Sequence, residues 1–170
     1  MHTLTHALLP VLALSAGSRR TTDKGPNYWN WKRLLLVALA GALPDLLNPH
    51  LSLQARYTSW SHGVPALCAF CLVLVMIWLI RRHRSQILLF IMLGTAYGLH
   101  LFCDLISGGL AWQYPLGNHV VGDYYVSARW WVPLDVGSVV LTYLIYRAIP
   151  NFRKWRERRR KVQLDFKWPG

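Results

Sequence analysis

The chain has 170 residues, of which 54% are hydrophobic and 15% charged, and a mean hydropathy of +0.24. So few charges exclude an ordinary soluble domain, where about 25% is usual, and exclude a disordered chain more firmly still. Lysine and arginine number 19 against 7 acids, a net charge of +12. On so apolar a chain this excess points to the cytoplasmic side of a membrane protein rather than to a nucleic-acid surface.

In chain order, two short apolar runs come first, residues 4–16 and 34–47. Each is too short to cross a bilayer comfortably alone, so they are expected as half-buried helices in a bundle, or as spans that recruit flanking residues. The first run lacks the basic stretch that precedes a signal-peptide core and is therefore kept in the mature chain. Three longer runs follow. Residues 64–80 are almost unbroken and end in Arg81-Arg82-His83-Arg84. Residues 87–110 carry His100 and Asp104, and residues 130–149 carry Asp135 and lead into the basic tail 153–161. Each approaches the length of about 20 residues that a spanning helix needs. The predicted fold is all-α, a multi-pass transmembrane bundle of three full spans plus two short N-terminal helices. Residues 1–150 form the membrane-embedded domain, and residues 151–170 form a basic cytoplasmic tail placed to meet anionic lipid headgroups.

Charge sets the expected orientation. Arg19, Arg20, Lys24, Lys32 and Arg33, then Arg81, Arg82 and Arg84, then the tail hold nearly all the basic residues, while the loops 48–63 and 107–129 hold only Arg56 and Arg129. The positive-inside rule puts the three basic segments in the cytoplasm of a bacterial inner-membrane protein and the two loops outside. With that threading, His6, Asp45, His62, His100, Asp104 and Asp135 all come to one membrane depth, at the outer face. Ionisable groups at such depth are costly and face a partner or a cavity. Histidines and aspartates converging from several helices most economically mean a metal site.

Plainer readings stand beside this one. His100 and Asp104, four residues apart and so on one helix face, also fit a hydrogen-bonded polar pair. Asp45, after Pro44, fits a helix cap; His62 fits a terminal polar group; and His6, with His2 one turn earlier, fits a fraying N-terminus. Asp135 either supports the ligands or caps the last helix. His119 and Asp123 read as solvated loop residues, and His50 and His83 as ordinary loop histidines. Cys68-x-x-Cys71 has redox-motif spacing without a thioredoxin-like context, so with Cys103 these are expected to be small buried hydrophobes.

Several short motifs then become recognisable. They are Thr5-His6-Ala7-Leu8, Leu43-Pro44-Asp45, Ser61-His62-Gly63, and Gly98-Leu99-His100-Leu101-Phe102-Cys103-Asp104 followed by Ser107-Gly108-Gly109 and Tyr114-Pro115. Together they resemble the bacterial family of inner-membrane metal-dependent hydrolases of the YdjM type, also described as LexA-binding. The family's middle motif, His-Arg-Gly-x-Thr-His-Ser, is reduced here to its second histidine, His62. The family is in turn similar to zinc-dependent phospholipases C and single-strand-type nucleases, whose ligands run His, Asp, His, His-x-x-x-Asp. The resemblance implies that Asp45, His62, His100 and Asp104 surround one metal, with Asp104 bridging to a second held by His6. The later ligands of the soluble enzymes have no match, so one or two divalent ions are expected, Zn²⁺ first, with Mn²⁺ or Fe²⁺ as alternatives.

The expected function is hydrolysis of a phosphoester, in a small molecule or a lipid, by a metal-activated water, with Asp45 or Asp135 accepting the proton. Membrane lipids are the expected partners, and nucleic acid is set aside. The competing class is a non-enzymatic membrane protein that carries metal or protons or binds a regulatory partner.

Overall fold

The computed structural model describes residues 3–18, 31–49, 52–82, 86–148 and Trp155. The expected cytoplasmic tail otherwise lies outside the described residues, as do Arg19, Arg20, Lys24 and Arg84. Six α-helices carry the fold: α1 (Thr3–Ser18), α2 (Trp31–Leu47), α3 (Leu53–Tyr57), α4 (Val64–Arg81), α5 (Ile87–Ile106) and α6 (Trp131–Tyr143). A two-stranded antiparallel ribbon, β1 (Leu110–Ala111) with β2 (Val120–Val121), closes the loop between α5 and α6.

The two short N-terminal helices are present, at 16 and 17 residues. Among the described residues, only α4 and α5 are helices long and apolar enough to cross a membrane, at 18 and 20 residues. At 1.5 Å per residue these reach about 27 and 30 Å, close to a hydrocarbon core of about 30 Å. The third expected span, 130–149, is corrected: regular α-helix stops at Tyr143, and Leu144–Ala148 continue as π-helix. Thirteen α-helical residues rise about 20 Å, well short of the core. Apolar composition supplied the length, but the hydrogen-bond register changed within it.

Helix α5 is the hub, touching α1, α2 and α4, while α1 also packs on α2 and α6. Val11, Val37, Ala40, Leu74, Leu93 and Ala96 form the main apolar core, and Tyr97, Leu101 and Leu110 form a second cluster nearer the ribbon. The contact between α1 and α2 depends on two sequence features. Pro10 inside α1 has no N–H to give the His6 carbonyl one turn back. That carbonyl lies against Gly41, where a Cβ would come within 2.5 Å of it. The helices can approach so closely only because residue 41 has no side chain.

The cysteines depart from expectation in part. Cys103 is buried, but Cys68 is exposed and Cys71 half-buried on α4. The outward flank of α4 is apolar, so a small hydrophobe there needs no burial inside the protein.

Candidate metal centre

One end of the bundle gathers four ionisable side chains from three helices. His6 comes from the first turns of α1, Asp45 from the last turn of α2, and His100 and Asp104 from the C-terminal half of α5. His62 closes a short 3₁₀ turn, Trp60–His62, immediately before α4. His6, His62, His100 and Asp104 are buried and Asp45 is half-buried. The structure thus brings together all five residues expected as ligands.

Two groups of three in this cluster have ligand atoms within 4.8 Å of one another: His6, His100 and Asp104, and Asp45, His62 and His100. His62 Nε2 lies 3.3 Å from His100 Nε2 and 3.1 Å from Asp45 Oδ1. Asp104 Oδ2 lies 3.4 Å from His100 Nε2 and 3.6 Å from His62 Nε2. His6 Nε2 is 3.6 Å from Asp104 Oδ1, and the His6 ring leans on the His100 ring with centroids 4.1 Å apart.

The outer nitrogens of His62 and His100 are held by hydrogen bonds, and for His100 these set the tautomer. His100 Nδ1 donates to the Gly41 carbonyl at 2.7 Å, which leaves its Nε2 with a lone pair. The Ser61 hydroxyl donates to the Pro44 carbonyl and so meets His62 Nδ1 as an acceptor at 3.1 Å; Ser59 Oγ lies 2.8 Å from the same nitrogen. The two serine oxygens hold His62 Nδ1 from behind, so that Nε2 faces inward, 3.1 Å from Asp45 Oδ1. Asn48 and Tyr97 complete the support, donating to Ser59 Oγ and to the Ser61 carbonyl. Such partners behind a ligating histidine fix its tautomer and its aim.

Four atoms of metal-ligand type therefore converge: His62 Nε2, His100 Nε2, Asp45 Oδ1 and Asp104 Oδ2. Asp104 Oδ2 is buried and makes no hydrogen bond. His100 Nε2 and Asp104 Oδ2 face each other as buried acceptors at 3.4 Å, a repulsive arrangement that a divalent cation between them removes. Two imidazoles and two carboxylates suit Zn²⁺, with Mn²⁺ and Fe²⁺ close in preference. The residues fit a metal.

Arg56 was not singled out as part of the site by the sequence. It is buried on α3, donates from Nη1 to Asp104 Oδ1 at 2.6 Å, and donates from Nη2 to the Ser107 carbonyl at 3.1 Å. Its sequence signal was present, since it is one of two basic residues in the loops otherwise cleared of positive charge. Tyr57 beside it donates to the Gly108 carbonyl, and Val64 N–H donates to the Trp112 carbonyl. The loop after α5 thus roofs the segment that carries Arg56 and His62. Gly122, at a φ of +102°, lets this roof close: a Cβ there would overlap the Leu105 carbonyl.

Asp135 takes a different position from the five. Its Oδ1 accepts from the Thr5 backbone N–H at 3.0 Å and from the Thr5 hydroxyl. Both donors belong to the first turn of α1, where backbone N–H groups have no intrahelical acceptor. Asp135 thereby anchors the helix end that carries His6.

A family model described as YdjM inner membrane protein matches residues 1–165. The chain belongs to that family. A 60-residue stretch is also 43% identical to the multidrug efflux system permease protein Rv1217c of Mycobacterium tuberculosis, covering 34% of this chain and 11% of that protein. The chain therefore spans about a tenth of that relative's length. No solved structure matches.

Proposed function

We propose that this inner-membrane family member is a metal-dependent hydrolase of phosphoesters, with membrane lipids as the substrate source. The observation that carries the reading is the convergence of His62 Nε2, His100 Nε2, Asp45 Oδ1 and Asp104 Oδ2, with Asp104 Oδ2 buried and without a hydrogen bond. A divalent cation held there supplies polarisation of a phosphoryl oxygen and a water acidic enough to ionise near neutral pH. Asp45 is the most accessible of the acids in the cluster and is the group placed to take a proton from an attacking water. Asp135 supports the site through α1 rather than as the proton acceptor, because Thr5 holds its Oδ1. The cluster sits at the start of α4 and the end of α5, the ends of both candidate spans, which is the depth of a phospholipid headgroup.

Orientation follows from the same ends. Lys32 and Arg33 open α2 and Arg81 and Arg82 close α4, each at the end opposite the cluster. The positive-inside bias then directs the cluster outward. A cysteine introduced at exposed Asn118, in a chain stripped of its three native cysteines, is expected to react with a membrane-impermeant thiol reagent on intact cells, and one at Gln86 to stay unlabelled. The reverse pattern would put the site in the cytoplasm.

The direct test of activity is release of phosphate-containing product from phospholipid vesicles by detergent-purified, Zn²⁺-loaded protein. The wild type is expected to release product, and the His100→Ala variant to fall to background. A second reading, a metal carrier without catalysis, draws on the local similarity to an efflux permease component. Bound metal, absent product and metal flux in proteoliposomes would favour it.

A further inference from the structure

We propose that Arg56 takes the place of a second cation at this cluster: it holds Asp104 Oδ1, so the centre takes a single divalent ion on Asp45, His62, His100 and Asp104 Oδ2, with His6 outside the ligand set. The inference rests on the metal-centre reading above and adds its stoichiometry and the residue that fixes it.

The two candidate ion positions share an atom. Both candidate triads, His6–His100–Asp104 and Asp45–His62–His100, draw on His100. Its Nδ1–H is committed to the Gly41 carbonyl, so only the lone pair on Nε2 remains. One lone pair serves one ion, so the two triads cannot both be filled in full, and a second ion would rest on His6 and Asp104 Oδ1 alone.

Arg56 decides between them. Its Nη1 stands 2.6 Å from Asp104 Oδ1, a full 1 Å closer than the His6 Nε2 at 3.6 Å that would share a second ion there. The guanidinium is held in place by the Ser107 carbonyl, and the next residue, Tyr57, is tied to Gly108. An arginine keeps its charge at every physiological pH. A cation coordinated to Asp104 Oδ1 would sit against that fixed charge in a buried setting, where repulsion is screened little. The other oxygen, Oδ2, has no hydrogen bond and faces the His62 and His100 pair. Asp104 is thus divided, one oxygen to the arginine and one to the metal.

His6 then has a packing role. Its ring lies against His100 at 4.1 Å between centroids, its Nδ1 is buried without a hydrogen bond, and its helix is anchored by Asp135. It walls the His100 ring into the orientation that aims Nε2 at His62.

The test is Zn²⁺ stoichiometry and affinity by equilibrium dialysis of metal-free, full-length protein in detergent. Wild type is expected to bind one ion per chain. His6→Asn is expected to bind one ion with a Kd within about threefold of wild type, as for a residue that does not ligate. Arg56→Lys keeps a cation beside Asp104 and is expected to keep a single ion. Arg56→Gln leaves the buried carboxylate without its counter-charge and is expected to admit a second, weaker ion. Two ions per wild-type chain, a loss of tenfold or more in His6→Asn, or a strict single ion in Arg56→Gln would each overturn the proposal. One ion without hydrolysis supports it and retires only the hydrolase reading, whereas no ion at all retires both.

Discussion

The two ends of the α4–α5 pair could hardly differ more. At the α4 start and α5 end, buried His62, His100 and Asp104 sit in a tight network of hydrogen bonds with Ser59, Ser61, Gly41 and Arg56. Toward the other end, an apolar groove of about 540 Å³ lies between Leu74, Trp78, Ile87 and Phe90, and Leu72, Met76 and Ile80 turn outward. Ile80 is 78% exposed. In water such a helix face would drive aggregation, whereas in lipid it is simply solvated. At the one end the interior is specified by polar contacts, whereas toward the other the outward flank of α4 is apolar. Side-chain burial, the usual mark of importance, is therefore informative at one end and nearly silent at the other.

The sharpest way to break the contrast is at the polar end. His100→Ala and Asp104→Ala each remove a ligand and are expected to weaken Zn²⁺ binding by more than about 100-fold, beyond the loss typical of supporting residues. Elemental analysis of purified variants checks this, and wild-type metal retention in both would dissolve the site. Gly41→Ala comes next. Its methyl group meets the His6 carbonyl, pushing α1 from α2 and disturbing the bond to His100 Nδ1. Overpacking of this kind costs about 1–3 kcal/mol, read as a lower thermal midpoint in detergent together with reduced metal affinity. Leu72→Ala on the outward flank of α4 is expected to change stability by less than about 0.5 kcal/mol and metal content not at all, because its side chain is 62% exposed. A large loss there would mean that this flank packs on protein rather than on lipid.

Much of the polar end was legible in the sequence. The spacing of His100 and Asp104 put them on one helix face, and the alternation of apolar runs with basic segments brought His6, Asp45 and His62 to the same depth. What escaped was set by tertiary contact. Arg56 was read for topology alone, and nothing local marks a loop arginine as the partner of a carboxylate 48 residues away. The short helix α3 and the turn at Trp60–His62 lie in a stretch without periodicity, and their geometry is imposed by the roof from the α5–α6 loop. The third span was overread because hydropathy measures only how apolar a run is. It does not report where an α-helical register gives way to a π-helical one, as it does after Tyr143. Asp135 was left between support and capping, and only the Thr5 contact distinguishes the two.

The central proposal is that His62, His100, Asp45 and Asp104 together hold a metal ion. X-ray absorption at the zinc edge of Zn²⁺-loaded, detergent-purified protein addresses it most directly, because it reports which atoms touch the ion. The account predicts two imidazoles and two oxygen ligands at about 2.0–2.2 Å, with the imidazole signal reduced in His100→Ala. A sulfur shell at about 2.3 Å, which would implicate Cys68 and Cys71, or a shell of oxygens without imidazole, would contradict it.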